Sequence, residues 1–233
     1  MSDANPSEQD HHQFRRRFSF SVSEWSVALF TALYMLIALV SALALGNPEF
    51  VYYIVVMLVL IAGVLWMHSK VQLPMAALWA LSVWGLAHMA GGLMPIPQSW
   101  PSSGNGNVLY NLWLLPGALK YDQLVHMYGF GIVTWICWVA LSRTADTHSD
   151  LGQPKTGLLV LCVAAGMGFG ALNEVVEFFA TLLMPETNVG GYQNTGWDLV
   201  ANMAGCVIAA IVICVVDRDS PAIGESQTTA DHQ

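Results

Sequence analysis

The sequence predicts an all-α polytopic membrane bundle of about six transmembrane helices, with both termini on the cytoplasmic side. Three observations carry this. Apolar residues make up 55% of the 233-residue chain and charged residues only 10%, against about 25% charged in a soluble domain. Long apolar runs recur along the chain, most of them near the ~20 residues that cross a bilayer. The basic residues then sort onto alternate connections between those runs. A mean hydropathy of +0.52 agrees.

In order, residues 1–22 read as a disordered cytoplasmic tail, 23–217 as the transmembrane domain and 218–233 as a second disordered tail. The first tail carries His11 and His12, an exposed pair read as solvated, and Arg15, Arg16 and Arg17, placed to meet anionic headgroups. The first span, 25–44, resembles a signal peptide in its basic flank and small residues. Its apolar run of about 20 residues exceeds a signal core of about 7–15, which favours an uncleaved anchor. Further spans follow at 50–67, 73–94, 122–142, 157–184 and 197–216.

A connection rich in Pro, Gly, Ser and Asn occupies 95–121, with Trp100, Tyr110 and Trp113 as expected interfacial anchors. Its segment NVLYNLWLLPGAL is apolar enough to lie along or dip into the membrane and too short to cross it. With six spans, Arg15, Arg16, Arg17, Lys70, Arg143, Lys155 and Arg218 fall inside and Lys120 outside, which sets the orientation.

The composition excludes several classes. The net charge of −8 says little about partners, since much of the acidity sits in and beside the two tails, and no basic face suited to nucleic acid is present. Cys137, Cys162, Cys206 and Cys214 lie in apolar runs without a CxxC pair, so they read as packing residues. No haem pattern, nucleotide loop or GxSxG motif occurs.

The informative residues are ionisable groups inside the spans. Acidic side chains at that depth are costly and call for a partner or a task. His88, Glu174 and Glu177 fall in the outer halves of the third and fifth spans, and Asp122 and Asp198 at the outer ends of the fourth and sixth. His126 and Asn202 lie a turn deeper. Asp122 and His126, Glu174 and Glu177, and Asp198 and Asn202 each share a helix face by their i,i+4 or i,i+3 spacing. Gly166 and Gly170 form a small-residue stripe with Glu174, while Gly205 adjoins Asn202 and Gly129 adjoins His126, which favours close helix approach there.

Several of these residues also have a plainer explanation. Asp122 and Asp198 suit helix caps. His88 suits a hydrogen-bonded packing histidine, and Asn173 suits a hydrogen-bonding support for Glu177. Glu174 and Glu177 resist such an explanation, since both sit well within an apolar run.

At YDQLVH, NEVVEF and WDLVANMAG the chain resembles the YjdF-type family of bacterial inner-membrane proteins and, more distantly, the VanZ-like proteins linked to glycopeptide resistance. The resemblance covers roughly 88–205 and matches at Asp122, His126, Glu174, Glu177, Asp198 and Asn202. It implies a multi-pass protein of the bacterial inner membrane and no established reaction. VanZ-like chains carry Gln where this chain has Glu177, followed by an arginine that has no counterpart between Pro185 and Gly196.

Histidine with several carboxylates matches the ligand preferences of zinc, iron or manganese. The expectation is a metal-dependent hydrolase of a lipid or lipid-linked envelope substrate. His88, Asp122, His126, Glu174, Glu177 and Asp198 are its candidate ligands, Glu174 or Glu177 its base, and Asn173 and Asn202 its supports. The alternatives are an ion- or proton-coupled transporter, against which the apolar inner halves of the spans argue, and a non-catalytic binding or scaffold protein held together by a polar core.

Overall fold

A computed structural model of the protein describes residues 21–103, 106–146 and 155–218. Its helices are α1 (Val22–Ala44), α2 (Pro48–Val71), α3 (Met75–Leu93), α4 (Tyr121–Asp146), α5 (Lys155–Leu183) and α6 (Tyr192–Arg218). All six are long and apolar enough to cross a membrane. Of the tails expected at 1–22 and 218–233, residues 1–20, with His11, His12 and Arg15 to Arg17, and 219–233 lie outside the described residues, while Ser21 precedes α1 and Val22 and Arg218 belong to helices.

Local chemistry starts and stops the first three helices. Ser21 and Glu24 form a capping box at α1: Ser21 Oγ accepts from the Glu24 N–H, and Glu24 Oε2 accepts from the Ser21 N–H. Asn47 caps α2, and Pro48 occupies a first-turn position where no donor is needed. At its other end α2 stops on Gln72 in the left-handed region, φ 51°. Arg143 of α4 donates to the carbonyls of Val71 and Gln72, satisfying groups that the helix end leaves open.

Two packing clusters join the helices. One gathers Tyr34, Met35 and Ala38 of α1, Phe50 and Tyr53 of α2, Met89 of α3 and Ala180 of α5. The other, toward the opposite end, joins Val27 of α1, Ala77 and Leu78 of α3 and Ile136 of α4. Elsewhere the helices turn leucine, isoleucine, valine and phenylalanine outward, as along Val55, Leu58 and Val59 of α2. An outer face this apolar is stable against hydrocarbon and not against water.

The closest helix approach is α4 against α6. A Cβ on Gly205 would collide with the Met127 carbonyl, and one on Gly131 would lie 3.1 Å from the Gly205 carbonyl oxygen. Gly166 of α5 sits on Thr134 and Cys206, and Gly170 on the Asn202 side chain. Of the small residues singled out in the sequence, Gly166, Gly170 and Gly205 thus bring α4, α5 and α6 together at the depth of the polar residues, whereas Gly129 packs on Trp84 of α3.

The connection 95–121 carries structure of its own. It forms a 3-10 turn (Leu109–Asn111) and a hairpin of β1 (Trp113–Leu115) with β2 (Leu119–Lys120), folded back over the ends of α3 and α4. Backbone bonds from Leu109 N to Met94 O (3.0 Å) and Tyr121 N to Leu112 O (2.9 Å) fasten it there. Within it Trp100 is half exposed, but Tyr110 packs on Gly91 and donates to the His88 carbonyl at 2.8 Å. Burial pushes the Tyr110 phenol well above its usual range and keeps it a donor.

One expectation is corrected: α6 begins at Tyr192 instead of Trp197. Hydropathy marks where a helix enters hydrocarbon, whereas this helix starts earlier, on the Gly191 carbonyl that accepts from Asn194 N (2.8 Å) and Thr195 N (3.2 Å).

Candidate functional site

His126 organises the polar residues. It lies on α4 and is 2% exposed. Its Nδ1 donates to Asn202 Oδ1 of α6 at 3.0 Å, because an amide oxygen can only accept. In the neutral imidazole the other ring nitrogen, Nε2, then carries the lone pair. Asp122 Oδ1 lies 3.6 Å from Nε2, and Glu177 Oε1 of α5 lies 3.9 Å away. Glu174 Oε1 lies 3.6 Å from Nδ1, beyond hydrogen-bond length.

Asp198 completes the cluster. It sits well inside α6 at 1% exposure, so the capping explanation fails for it. Asp122 does fall in the first turn of α4. Both carboxylates are held by one side chain that the sequence reading passed over. Asn194 Nδ2 donates to Asp198 Oδ2 at 2.6 Å and to Asp122 Oδ2 at 3.4 Å. Asn173 donates to Glu177 Oε1 at 2.8 Å, the support expected of it.

Several buried atoms in this cluster have no hydrogen-bond partner: both carboxylate oxygens of Glu174, Asp198 Oδ1 and Asn202 Nδ2. A buried carboxylate without a donor is expensive, and more so at membrane depth. Among the described residues, two sets could place donor atoms around one cation, and in each the atoms lie within 4.8 Å of one another. One is Asp122, His126 and Asp198, and the other His126, Glu174 and Glu177. Metal–ligand bonds of about 2.0–2.2 Å put neighbouring donors roughly 3–4 Å apart, so small side-chain movements suffice for either set.

His88 is placed differently from the other candidate ligands. It belongs to neither set and is enclosed by the rings of Tyr53, Trp84 and Tyr110, with centroids 6.2, 6.5 and 5.6 Å away. It borders the site without joining the carboxylates.

Above the cluster opens a cavity of about 800 Å³. Asp122, Glu177 and His88 line it, the hairpin contributes Trp113 and Lys120, and the α5–α6 connection contributes Thr187 to Gly191. Glu49, which lies between the first two spans read in the sequence, is 4% exposed and anchors that connection. Its carboxylate accepts from Asn188 N at 2.9 and 3.1 Å and from Asn188 Nδ2 at 3.2 Å. The sequence signal was a glutamate beside the proline that opens α2, which suits a first-turn acid equally well.

The match to a family model covers residues 26–219, nearly the whole described chain, and therefore the cluster and the cavity together. The chain belongs to the family described as predicted membrane protein (DUF2238). Searches of the curated proteins and of the solved structures each found no match. This DUF2238 protein is thus a multi-pass membrane protein with a buried His/Asp/Glu cluster beneath a cavity.

Proposed function

We propose that the protein binds a divalent cation at the His126 cluster and uses it to hydrolyse a lipid or lipid-linked envelope substrate. The observation behind this is Glu174, buried with neither carboxylate oxygen hydrogen-bonded, beside a histidine whose Nε2 lone pair faces Asp122 and Glu177. A cation relieves the cost of burying these carboxylates together. The imidazole and carboxylate donors suit zinc, iron or manganese.

A bound ion would supply Lewis acidity and lower the pKa of water. His126 and Asp122, with Asp198, form the set nearest the Asn194 support, which leaves Glu174 or Glu177 to take the proton. Asp122 and Glu177 share the cavity lining with the hairpin and the α5–α6 connection, which places the cavity at one end of the bundle. Under the distribution of basic residues that end is the outer one, with both termini inside, and the resemblance to YjdF-type and VanZ-like proteins favours the bacterial inner membrane.

Elemental analysis tests the reading. Untagged wild-type protein should carry near-stoichiometric zinc, iron or manganese, and His126→Ala and Asp198→Ala should lose it while remaining folded. A loaded protein would then be screened against envelope lipids. Metal-free protein that carries ion flux in proteoliposomes, abolished by changing Glu174, would replace the hydrolase with a coupled transporter.

A further inference from the structure

Lys120 is the lysine among the residues lining the cavity, and among the described residues it forms no ion pair. Its Nζ donates to Asn194 Oδ1 at 2.9 Å and lies 5.6 Å from the centre of the Trp113 ring. The same Asn194 donates from its other end to Asp198 and Asp122. One amide therefore separates the ammonium from the carboxylates of the candidate cation site. An ammonium has three donors, and Asn194 takes one of them.

The charges of the cavity restrict its occupant. Glu49, Asp122 and Glu177 also line it. Against those carboxylates an anion is held only where positive charge gathers, between Lys120 and an ion at the His126 cluster. We infer that the cavity takes a phosphate ester whose phosphoryl oxygens are shared between Lys120 and the bound divalent cation. This rests on the cation site proposed above.

Several features favour phosphoryl over a simple carboxylate. Lysine with a divalent ion is a recurrent clamp on phosphoryl groups. A tetrahedral group presents oxygens in more than one direction, which suits a cation and an ammonium set one amide apart. The cavity exceeds a phosphate by far, and Tyr53, Trp113 and Trp197 give the remainder of an ester an aromatic wall. In hydrolysis the oxygen of water bonds to phosphorus and the P–O bond to the ester alcohol breaks. One water proton passes to the carboxylate of Glu174 or Glu177 and then to the departing alcohol oxygen.

The test uses full-length protein in detergent, loaded with manganese. Inorganic phosphate and phosphatidic acid in mixed micelles are titrated separately, with phosphatidylcholine micelles as control, and thermal stability is followed. Binding of either phosphate source by wild type, weakened roughly tenfold or more in Lys120→Gln, supports the inference when manganese affinity is unchanged. Lys120→Arg should retain binding, which separates lost charge from lost fold. Binding of phosphatidic acid alone assigns the phosphate to a lipid headgroup, and binding of both assigns it to the phosphoryl group itself. Manganese-loaded protein that ignores both, or Lys120→Gln that binds like wild type, overturns the phosphate ester and leaves the cation site standing. A wild type that binds no manganese, zinc or iron overturns both.

Discussion

His126 of α4 and Asn202 of α6 meet at 3.0 Å, and that contact decides which ring nitrogen faces the cavity-lining carboxylates. Asn202 Oδ1 holds the proton on Nδ1 and so directs the Nε2 lone pair toward Asp122 and Glu177. Removing such a support typically costs about 10–100-fold in metal affinity. Asn202→Ala should weaken metal binding by that order, whereas Asn202→Asp, which keeps an acceptor, should weaken it less. Competition against a chromophoric chelator measures both.

Metal binding to the folded state alone should also stabilise the protein. At free metal about 100 times the dissociation constant the increment is ~2.7 kcal/mol. Adding manganese or zinc to stripped protein should raise Tm, a chelator should reverse the rise, and His126→Ala should show none of it. A Tm equally metal-independent in wild type and variant would count against the site.

Gly205 and Gly63 separate tight packing from open helix surface. A Cβ at Gly205 collides with the Met127 backbone, which cannot turn aside as a side chain can, while a Cβ at Gly63 has nothing within 4 Å. Gly205→Ala should destabilise by about 1–3 kcal/mol or more. Gly63→Ala should be neutral or gain up to about 1 kcal/mol through helix propensity. Unfolding in detergent micelles compares them.

Glu49 and Asn188 fasten the connection that walls the cavity. Glu49→Ala would leave the Asn188 donors without their acceptor, and hydrogen bonds to a charged group are worth about 1.5–3 kcal/mol each. The backbone N–H of Asn188 should exchange faster with deuterium in the variant, while α4 keeps its protection. Unchanged exchange at Asn188 would show that other contacts hold the connection.

The proposed orientation has its own test. In a cysteine-free background, a cysteine replacing Gln193 should react with an impermeant maleimide from outside intact cells. One replacing Ser69 should react only after lysis. Reversed labelling would invert the orientation drawn from the basic residues.

The number and type of the spans were legible in the sequence because transfer into hydrocarbon sums over the residues of each run, whatever packs beside it. The sharing of faces by Asp122 with His126 and Glu174 with Glu177 was legible for a similar reason, since helix geometry alone fixes i,i+3 and i,i+4 neighbours. Tertiary structure decided the rest. The approach of α4 to α6 at Gly131 and Gly205 sets which polar faces meet, and places His126 between the carboxylates while His88 stays among aromatic rings. Asn194 reads as loop by hydropathy, yet it bridges Lys120 to Asp122 and Asp198 because α6 starts before the apolar run does. Glu49 finds Asn188 across 139 residues of chain. No periodicity records such a pairing, because its geometry exists only once the helices have packed.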